Sequence, residues 1–343
     1  MHIDLDIQSL NRLKELLGNS KSIVLISHYN PDGDAVGSIL GLYHALGNVG
    51  IKSTMVSPNG FPEFLEWLPE IDRVILYSKQ KESVANALSN ADLIVCLDFN
   101  GFRRLETMEG LLASSHCKKI LIDHHPEPES PFDLYFSFVQ VSSTSELVYE
   151  IVAKLYGEQS VDENSAVCLY TGIMTDTGSF SYACSRKRTF EIAGELVARG
   201  VNVEAVQAMV YSNFSVNRMQ LLGYCLAEKM KVFPEHKAAY IWLTKAELKR
   251  FSHQIGDTEG FVNHPLSIKG IIFSVIFMEN DGFIKVSLRS RGSFPVNIFS
   301  KKYYNGGGHT NAAGGKSFSS LEQTILQFEQ LLAEHSSELN SSE

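Results

Sequence analysis

Apolar residues in the first part of the chain come in short continuous runs. Ile23-Val24-Leu25-Ile26 is one, and Ile51 to Val56, Val74 to Tyr77, Leu93 to Leu97 and Ile120 to Ile122 are others. Runs of this length without polar alternation read as strands buried on both faces. Between them the period becomes helical: residues 5–17 carry leucines at helical spacing, and Ala35 to Leu46 and Glu82 to Leu88 repeat the pattern. The Pro-bounded segment 61–70 reads as turns or a short helix. Strands alternating with helices predict a doubly wound, mostly parallel sheet.

From Ser143 onward the strand signal fades. Ser143 to Tyr156 reads as a helix, with a Ser-Ser-Thr-Ser start and Glu146 placed for a capping box. Asn164 to Met174, Thr189 to Arg199, Val203 to Tyr211 and Val216 to Lys229 are further helical patterns. Beyond residue 230 strands return at Ala238 to Leu243, Ile271 to Met278 and Phe283 to Arg289. The last two are joined by Asn280-Asp281-Gly282, a strong hairpin signal. Lys245 to Phe251 and Leu321 to Ala333 are helical, and the closing EHSSELNSSE reads as a frayed tail. The predicted chain is α/β with two domains. Residues 1–190 form the doubly wound domain, 191–230 a helical connector, and 231–343 a smaller α/β domain, with the active site in the cleft between the domains.

Composition narrows the class. A chain of 343 residues with 44% hydrophobic content can bury two cores. A formal net charge of −9 argues against a long electrostatic footprint on duplex nucleic acid. It leaves room for a small anionic substrate held by local cations or metals. The five cysteines are scattered without a CxxC pair, as in reduced thiols of a cytoplasmic protein. The N-terminal MHIDLDIQSLNRLKELL carries acids at helical periodicity, unlike a secretory signal, and no apolar run approaches the ~18 residues of a membrane span. A soluble cytoplasmic protein is expected.

The chemistry gathers where strands end. After Ile26 comes SHYNPDGDAVGS, with His28, Asp32 and Asp34 on a loop; Leu97 is followed by Asp98; Ile122 is followed by Asp123-His124-His125. Parallel strands deliver their carboxyl ends to one edge, so these residues can converge on one crevice. Asp176, in the tight Thr175-Asp176-Thr177-Gly178 turn, is a fourth contribution. Taken singly, each piece also suits an Asx-turn or a helix cap. Together His28, Asp32, Asp34, Asp98, His124 and Asp176 exceed what one ion needs and suit two divalent ions ~3.5–4 Å apart, sharing a carboxylate and a water. Without metal, four converging carboxylates would repel and raise their own pKa values. Carboxylates mixed with imidazole favour Mn²⁺ over Mg²⁺, with Co²⁺ or Fe²⁺ as substitutes. The expected reaction is hydrolysis of a phosphate ester.

His125 is poorly aimed to share an ion with His124, so its expected task is to touch the scissile phosphate or assist the leaving oxygen; ordering the ligands is the alternative. Asp123 is expected to orient a ligand. Arg104 can clamp a substrate phosphate, with Arg103 beside it as confounder. In the second domain Gly306-Gly307-Gly308 can expose successive N–H groups as an anion nest, His309 adds a donor, and Arg289 and Arg291 on one strand face can hold a phosphate. A triple glycine is often just a turn, which is the alternative here.

HYNPDGDAVGS, CLDFNG, DHH at 123–125, TDTGSF and GGGH at 306–309, in that order, resemble the DHH phosphoesterase superfamily with its DHH-associated C-terminal domain. Length and layout are most similar to its nanoRNase/pAp-phosphatase branch, bacterial oligoribonucleases that also dephosphorylate 3′-phosphoadenosine 5′-phosphate (pAp). The resemblance implies a Mn²⁺-dependent enzyme. It implies His28, Asp32 and Asp98 on one ion, and Asp34, Asp98, His124 and Asp176 on the other, with Asp98 as bridge. It implies substrate contacts from His125, Arg104, Arg289 and Gly306–His309 and domains facing each other across the active site, in a family where homodimers are common. RecJ-type exonucleases are longer, family II pyrophosphatases carry a different C-terminal domain, and membrane-anchored cyclic-dinucleotide hydrolases carry spanning segments. Short RNA and pAp are the expected substrates, with cyclic or linear dinucleotide messengers as the alternative. A non-catalytic nucleotide sensor or acids acting only as structural caps are the readings of other classes.

Overall fold

Each buried strand of the first half feeds two cores at once, which is why its sequence runs apolar without alternation. In the computed structural model, which describes residues 3–129 and 131–342, Ile23 and Leu25 point into one core while Val24 and Ile26 point into the other. The chain divides into two compact units, Met1–Asn213 and Phe214–Glu343.

The first unit holds β1 (Ile23–Ile26), β2 (Thr54–Ser57), β3 (Ile75–Leu76), β4 (Leu93–Leu97), β5 (Lys118–Asp123) and β6 (Leu134–Ser137). They form one sheet in the order β3-β2-β1-β4-β5-β6, every pairing parallel. Its helices are α1 (Ile7–Asn19), α2 (Gly33–Asn48), α3 (Lys81–Ser89), α4 (Glu109–Ser114), α5 (Thr144–Tyr156), α6 (Glu163–Asp176), α7 (Lys187–Val197) and α8 (Val203–Tyr211). The strand order reverses direction between β1 and β4. In open α/β sheets that reversal leaves a crevice at the carboxyl ends of the two strands. Strand β6 has no continuous apolar run to announce it: Leu134 and Phe136 are buried, and Tyr135 between them is exposed. Segment 61–70 is built of turns and a short 3₁₀ helix, Glu63–Leu65.

The second unit contains α9 (Val216–Glu228), β7 (Met230–Phe233), β8 (Ala238–Leu243), α10 (Lys245–Arg250), β9 (Phe273–Glu279), β10 (Ile284–Ser290), α11 (Val296–Tyr303), β11 (Gly307–His309), β12 (Ala312–Ser317), α12 (Leu321–Glu334) and α13 (Ser336–Ser341). Its sheet runs β11-β12-β10-β9-β8-β7, antiparallel except for the β8–β9 pair. Phe273, Phe277, Phe294, Phe299 and Phe328 fill the core beneath α11 and α12. The helical stretch 191–230 is shared out: α7 and α8 belong to the first unit and α9 to the second.

Two expectations change here. The tail is helical over Ser336–Ser341 because Leu339 is fully buried and Asn340 bonds back to the Glu235 carbonyl. The glycine run is an edge strand: Gly307–His309 pairs with Ala312–Gly314 of β12. Glycine is required there by close approach, since a Cβ on Gly306 would fall 1.9 Å from the Gly314 carbonyl oxygen. Among the described residues no helix is long and apolar enough to cross a membrane, and the five cysteines are unpaired.

Candidate metal centre

The crevice between β1 and β4 is filled by acids and imidazoles. His28 follows β1, and its Nδ1 lies 2.9 Å from the Tyr29 carbonyl oxygen. A carbonyl only accepts, so Nδ1 carries the proton and Nε2 presents a lone pair. That Nε2 is buried without a hydrogen-bond partner, 3.6 Å from Asp98 Oδ2 and 3.9 Å from Asp32 Oδ2.

Helix α2 begins earlier than its apolar pattern, so Asp32 is its N-cap and Asp34 lies in its first turn rather than on the loop. Asp32 does both things its sequence context allows. Its Oδ1 accepts from the Asp34 and Ala35 amides, and its Oδ2 is the oxygen that faces His28. Asp98 stands directly beyond β4 with φ +65°, a left-handed backbone that aspartate tolerates better than most residues. This conformation turns the carboxylate so that Oδ2 faces His28, while Oδ1 lies 3.5 Å from His124 Nε2 and 3.7 Å from His125 Nδ1. His124 Nε2 is also 3.7 Å from Asp34 Oδ2 and 3.5 Å from Asp176 Oδ2, and Asp176 is the last residue of α6.

These separations exceed a hydrogen bond, yet they fit one shared cation. Two ligands each about 2.1 Å from an ion stand about 3.0–3.4 Å apart at cis positions. Three such groups form within the first unit: His28, Asp32 and Asp98; Asp34, His124 and Asp176; and Asp98, Asp123 and His125.

The electrostatics agree. Burial raises the Asp98 carboxyl well above its ordinary value, and Asp34, Asp32, Asp123 and Asp176 push it further. Asp34 is raised to about 7 by burial and by Asp32, against hydrogen bonds from Ser145 and Thr144. Burial raises Asp32 as well, but His28 and the Ala35 amide outweigh it and the net shift is downward. His28, His124 and His125 are all lowered by burial first of all, so the imidazoles are neutral, the form that binds metal.

The His125 ring packs edge-on against His124, with ring centroids 4.9 Å apart. Its Nδ1 is 2.8 Å from Asp123 Oδ1, so Asp123 fixes this ring. Asp123 is wholly buried and raised to about 6, mainly by burial. The structure separates the two arginines on the 3₁₀ segment Phe102–Met108. Arg103 pairs with Glu129 at the surface, whereas the Arg104 charge acts on His28, Asp32, Asp123 and His125. In the second unit Arg289 lies on β10 with Nη1 2.9 Å from the Leu288 carbonyl, and Arg291 falls one residue past the strand.

The sequence reading missed the start of α5. The Asp34 carboxylate accepts from the Thr144 amide at 2.6 Å and the Ser145 amide at 2.8 Å, and Thr144 Oγ1 donates to Asp98 Oδ1 at 2.9 Å. The Ser/Thr run signalled this segment but was absorbed by its capping role. The capping box itself is displaced: Ser143 caps through the Glu146 amide, while the Glu146 carboxylate accepts from the amide and hydroxyl of Ser142. Glu146 is fully buried, held also by Thr189 and Arg186, so α7 secures the segment that carries Thr144.

Residues 22–173 match the DHH family, N-terminal domain, and residues 250–335 match the DHHA1 domain. A Bacillus subtilis (strain 168) protein named bifunctional oligoribonuclease and PAP phosphatase NrnA is 29% identical over 322 residues, 92% of this chain and 96% of its own. One of the same name from Thermus thermophilus is 30% identical, over 85% of this chain and 83% of its own. The crystal structure of an exopolyphosphatase-related protein from Bacteroides fragilis superposes with a TM-score of 0.93 at 38% identity, covering 99% of this chain and 100% of that one.

Proposed function

The chain belongs to the DHH phosphoesterase family with a DHHA1 domain, and from that premise we propose that it hydrolyses short oligoribonucleotides and removes phosphate from pAp, using two Mn²⁺ ions. The observation that carries this reading is Asp98, whose two oxygens face the imidazoles of two separate ligand groups. On this reading His28, Asp32 and Asp98 hold one cation, and Asp34, Asp98, His124 and Asp176 the other. The donor set supports it: neutral imidazoles, clustered carboxylates, no thiolate, and a buried His28 Nε2 that no protein group satisfies. Two divalent cations held there supply Lewis acidity at the phosphoryl group and acidify the attacking water. Mg²⁺ or Co²⁺ would substitute for Mn²⁺.

The chain's own groups do the remainder. Thr144 and the first amides of α5 hold Asp98 and Asp34 at fixed orientation. Asp123 keeps His125 Nδ1 protonated and fixes the ring, whose Nε2 is assigned to the substrate. An arriving phosphate favours the imidazolium, so Nε2 can pass a proton to the leaving oxygen. Arg104 is assigned to a substrate phosphate, as are Arg289 and Gly306–His309 of the second unit.

The test is a substrate panel with Mn²⁺, with and without chelator: RNAs of two to five nucleotides, a long RNA, pAp and a cyclic dinucleotide. Chelator-sensitive turnover of short RNA and pAp is expected. Faster turnover of the long RNA rejects the short-substrate preference, and preferred turnover of the cyclic dinucleotide makes a messenger hydrolase the better reading. Asp98→Ala should abolish hydrolysis; survival at the wild-type rate sinks the shared-carboxylate mechanism.

A further inference from the structure

The loop between β1 and α2 presents His28 and Asp32 to one group of candidate ligands. Between them the backbone enters the left-handed region at Asn30, with φ +54°. Asparagine tolerates that region better than most residues, yet Pro31 follows, and a residue before proline prefers an extended backbone. The turn therefore needs a hold from outside the loop.

The two strands that flank β1 supply it. On the β4 side the Tyr29 amide donates to the Arg104 carbonyl at 2.8 Å. On the β2 side the Asn30 amide donates to Asn59 Oδ1 at 2.7 Å, and Asn59 Nδ2 donates to Asn30 Oδ1 at 2.8 Å. A backbone N–H only donates, so the Asn59 oxygen has to face it and its NH2 has to face the Asn30 side chain. Both ends of one amide are spent on the residue at which the loop turns.

Asn59 is itself anchored. β2 pairs with β1 in parallel, Val56 beside Ile26, so the segments after the two strands leave one sheet edge side by side. Asn59 is buried, Ser57 Oγ donates to its carbonyl at 2.8 Å, and the Ser57 and Pro58 carbonyls accept from the Tyr77 and Ser78 amides. Asn30, by contrast, is exposed.

We propose that Asn59 is a positioning residue: through Asn30 it holds the 28–32 loop in the shape that turns His28 and Asp32 toward a single cation. The inference rests on the reading that this group holds a cation, and adds a residue from outside the ligand set. Without Asn59, water takes over the bonds of the exposed Asn30, so the fold loses little and the aim of the two ligands is what is lost. Asp34, of the second group, is held instead by the start of α5, so the loss falls on one ion of the two.

The experiment uses the full chain with Asn59→Ala and Asn59→Asp. Alanine removes both bonds. Aspartate keeps an acceptor for the Asn30 amide, and the exposed Asn30 side chain turns its NH2 to the second oxygen. In chelator-stripped Asn59→Ala, hydrogen exchange read by peptide mass spectrometry should run about 10-fold faster over residues 28–32, the size of two lost neutral hydrogen bonds, and within about twofold of wild type over 143–146. In calorimetric titration one of two Mn²⁺ ions should bind about 10-fold more weakly, the other within about twofold of wild type. Asn59→Asp should restore both readings. Unchanged exchange over 28–32, exchange raised equally over 143–146, or an aspartate variant as impaired as the alanine one overturns the brace. Two ions bound by Asn59→Ala as tightly as by wild type also overturn it, and leave the two-ion reading standing. Wild type that takes up no Mn²⁺, with exchange in Asn59→Ala still raised over 28–32 alone, keeps the brace and removes the cation.

Discussion

Thr144→Val tests whether the start of α5 belongs to the metal centre or merely lies beside it. Valine keeps the size and β-branching of threonine and loses one interaction, the 2.9 Å hydrogen bond from Oγ1 to Asp98 Oδ1. Asp98 is 1% exposed, so no water replaces that donor. A hydrogen bond to a charged group contributes about 1.5–3 kcal/mol. If the bond is made to the ionised, metal-holding carboxylate, that energy appears in metal affinity, a loss of about 10- to 150-fold. Removal of groups that orient metal ligands lowers affinity by a similar factor, about 10–100-fold. Calorimetric titration of Mn²⁺ into stripped protein reads it directly. Thr144→Ser restores the hydroxyl and should recover most of the affinity. The melting temperature of the metal-free variant should stay within a few degrees of wild type, because there the Asp98 carboxyl is held protonated by burial and its acidic neighbours. Mn²⁺ binding by Thr144→Val within twofold of wild type, or a Thr144→Ser variant equally impaired, refutes the reasoning.

Three further outcomes follow from the same geometry. Asp34 has a folded-state pKa of about 7 against an ordinary 3.8, so the folded metal-free protein binds this proton more tightly than the unfolded chain. Stability of stripped protein should therefore fall as pH rises from about 4 to about 7 and then level off, and added Mn²⁺ should raise the melting temperature more at pH 8 than at pH 5; a stripped protein that gains stability over that range contradicts the clustered acids. Gly172→Ala puts a Cβ 2.0 Å from Ser145 Oγ and 3.0 Å from Asp34 Oδ1, and should weaken Mn²⁺ binding along with about 1–3 kcal/mol of stability, read by titration and denaturant melts. Burial opposes ionisation of Glu247, but Lys229, Tyr224 and Thr244 hold it down to about 2. Glu247→Gln should cost about 1–3 kcal/mol at pH 7 and progressively less as pH falls from about 4.5 through 2.

Much of the first unit was legible because a parallel sheet writes itself as uninterrupted apolar runs, and because a ligand that directly follows such a run is placed by the strand before it. His28, Asp98 and His124 were readable for that reason. Asp34 and Asp176 were readable as donors but not as positions, since each lies just inside a helix whose apolar pattern starts after it or stops before it. Strand β6 was lost because a four-residue edge strand with Tyr135 exposed has too short an alternation to stand out. The glycine run, read as a nest or a turn, hid its edge strand for a different reason. Glycine there answers to the approach of Gly314 across the sheet, which no local pattern records.

Thr144 and Ser145 were the largest omission, and they expose what the centre is built to do. A helix N-terminus stabilises an anion, and Asp34 receives two amide hydrogen bonds from one. Its carboxyl is nevertheless held at about 7. Burial and the neighbouring acids outweigh the amides, so the donors do not suffice to ionise the cluster unaided. They act instead on direction. With both oxygens of Asp34 bonded to α5, and Asp98 fixed by Thr144 on a left-handed backbone, the carboxylates cannot swing apart to relieve their repulsion. Repulsion that cannot relax is relieved by protonation, as at Asp98 and Asp34 in the metal-free protein, or by a cation; neutral imidazoles supply neither. Ionising these acids in the folded state carries a cost that a cation bound among them would offset, at the expense of part of its binding energy.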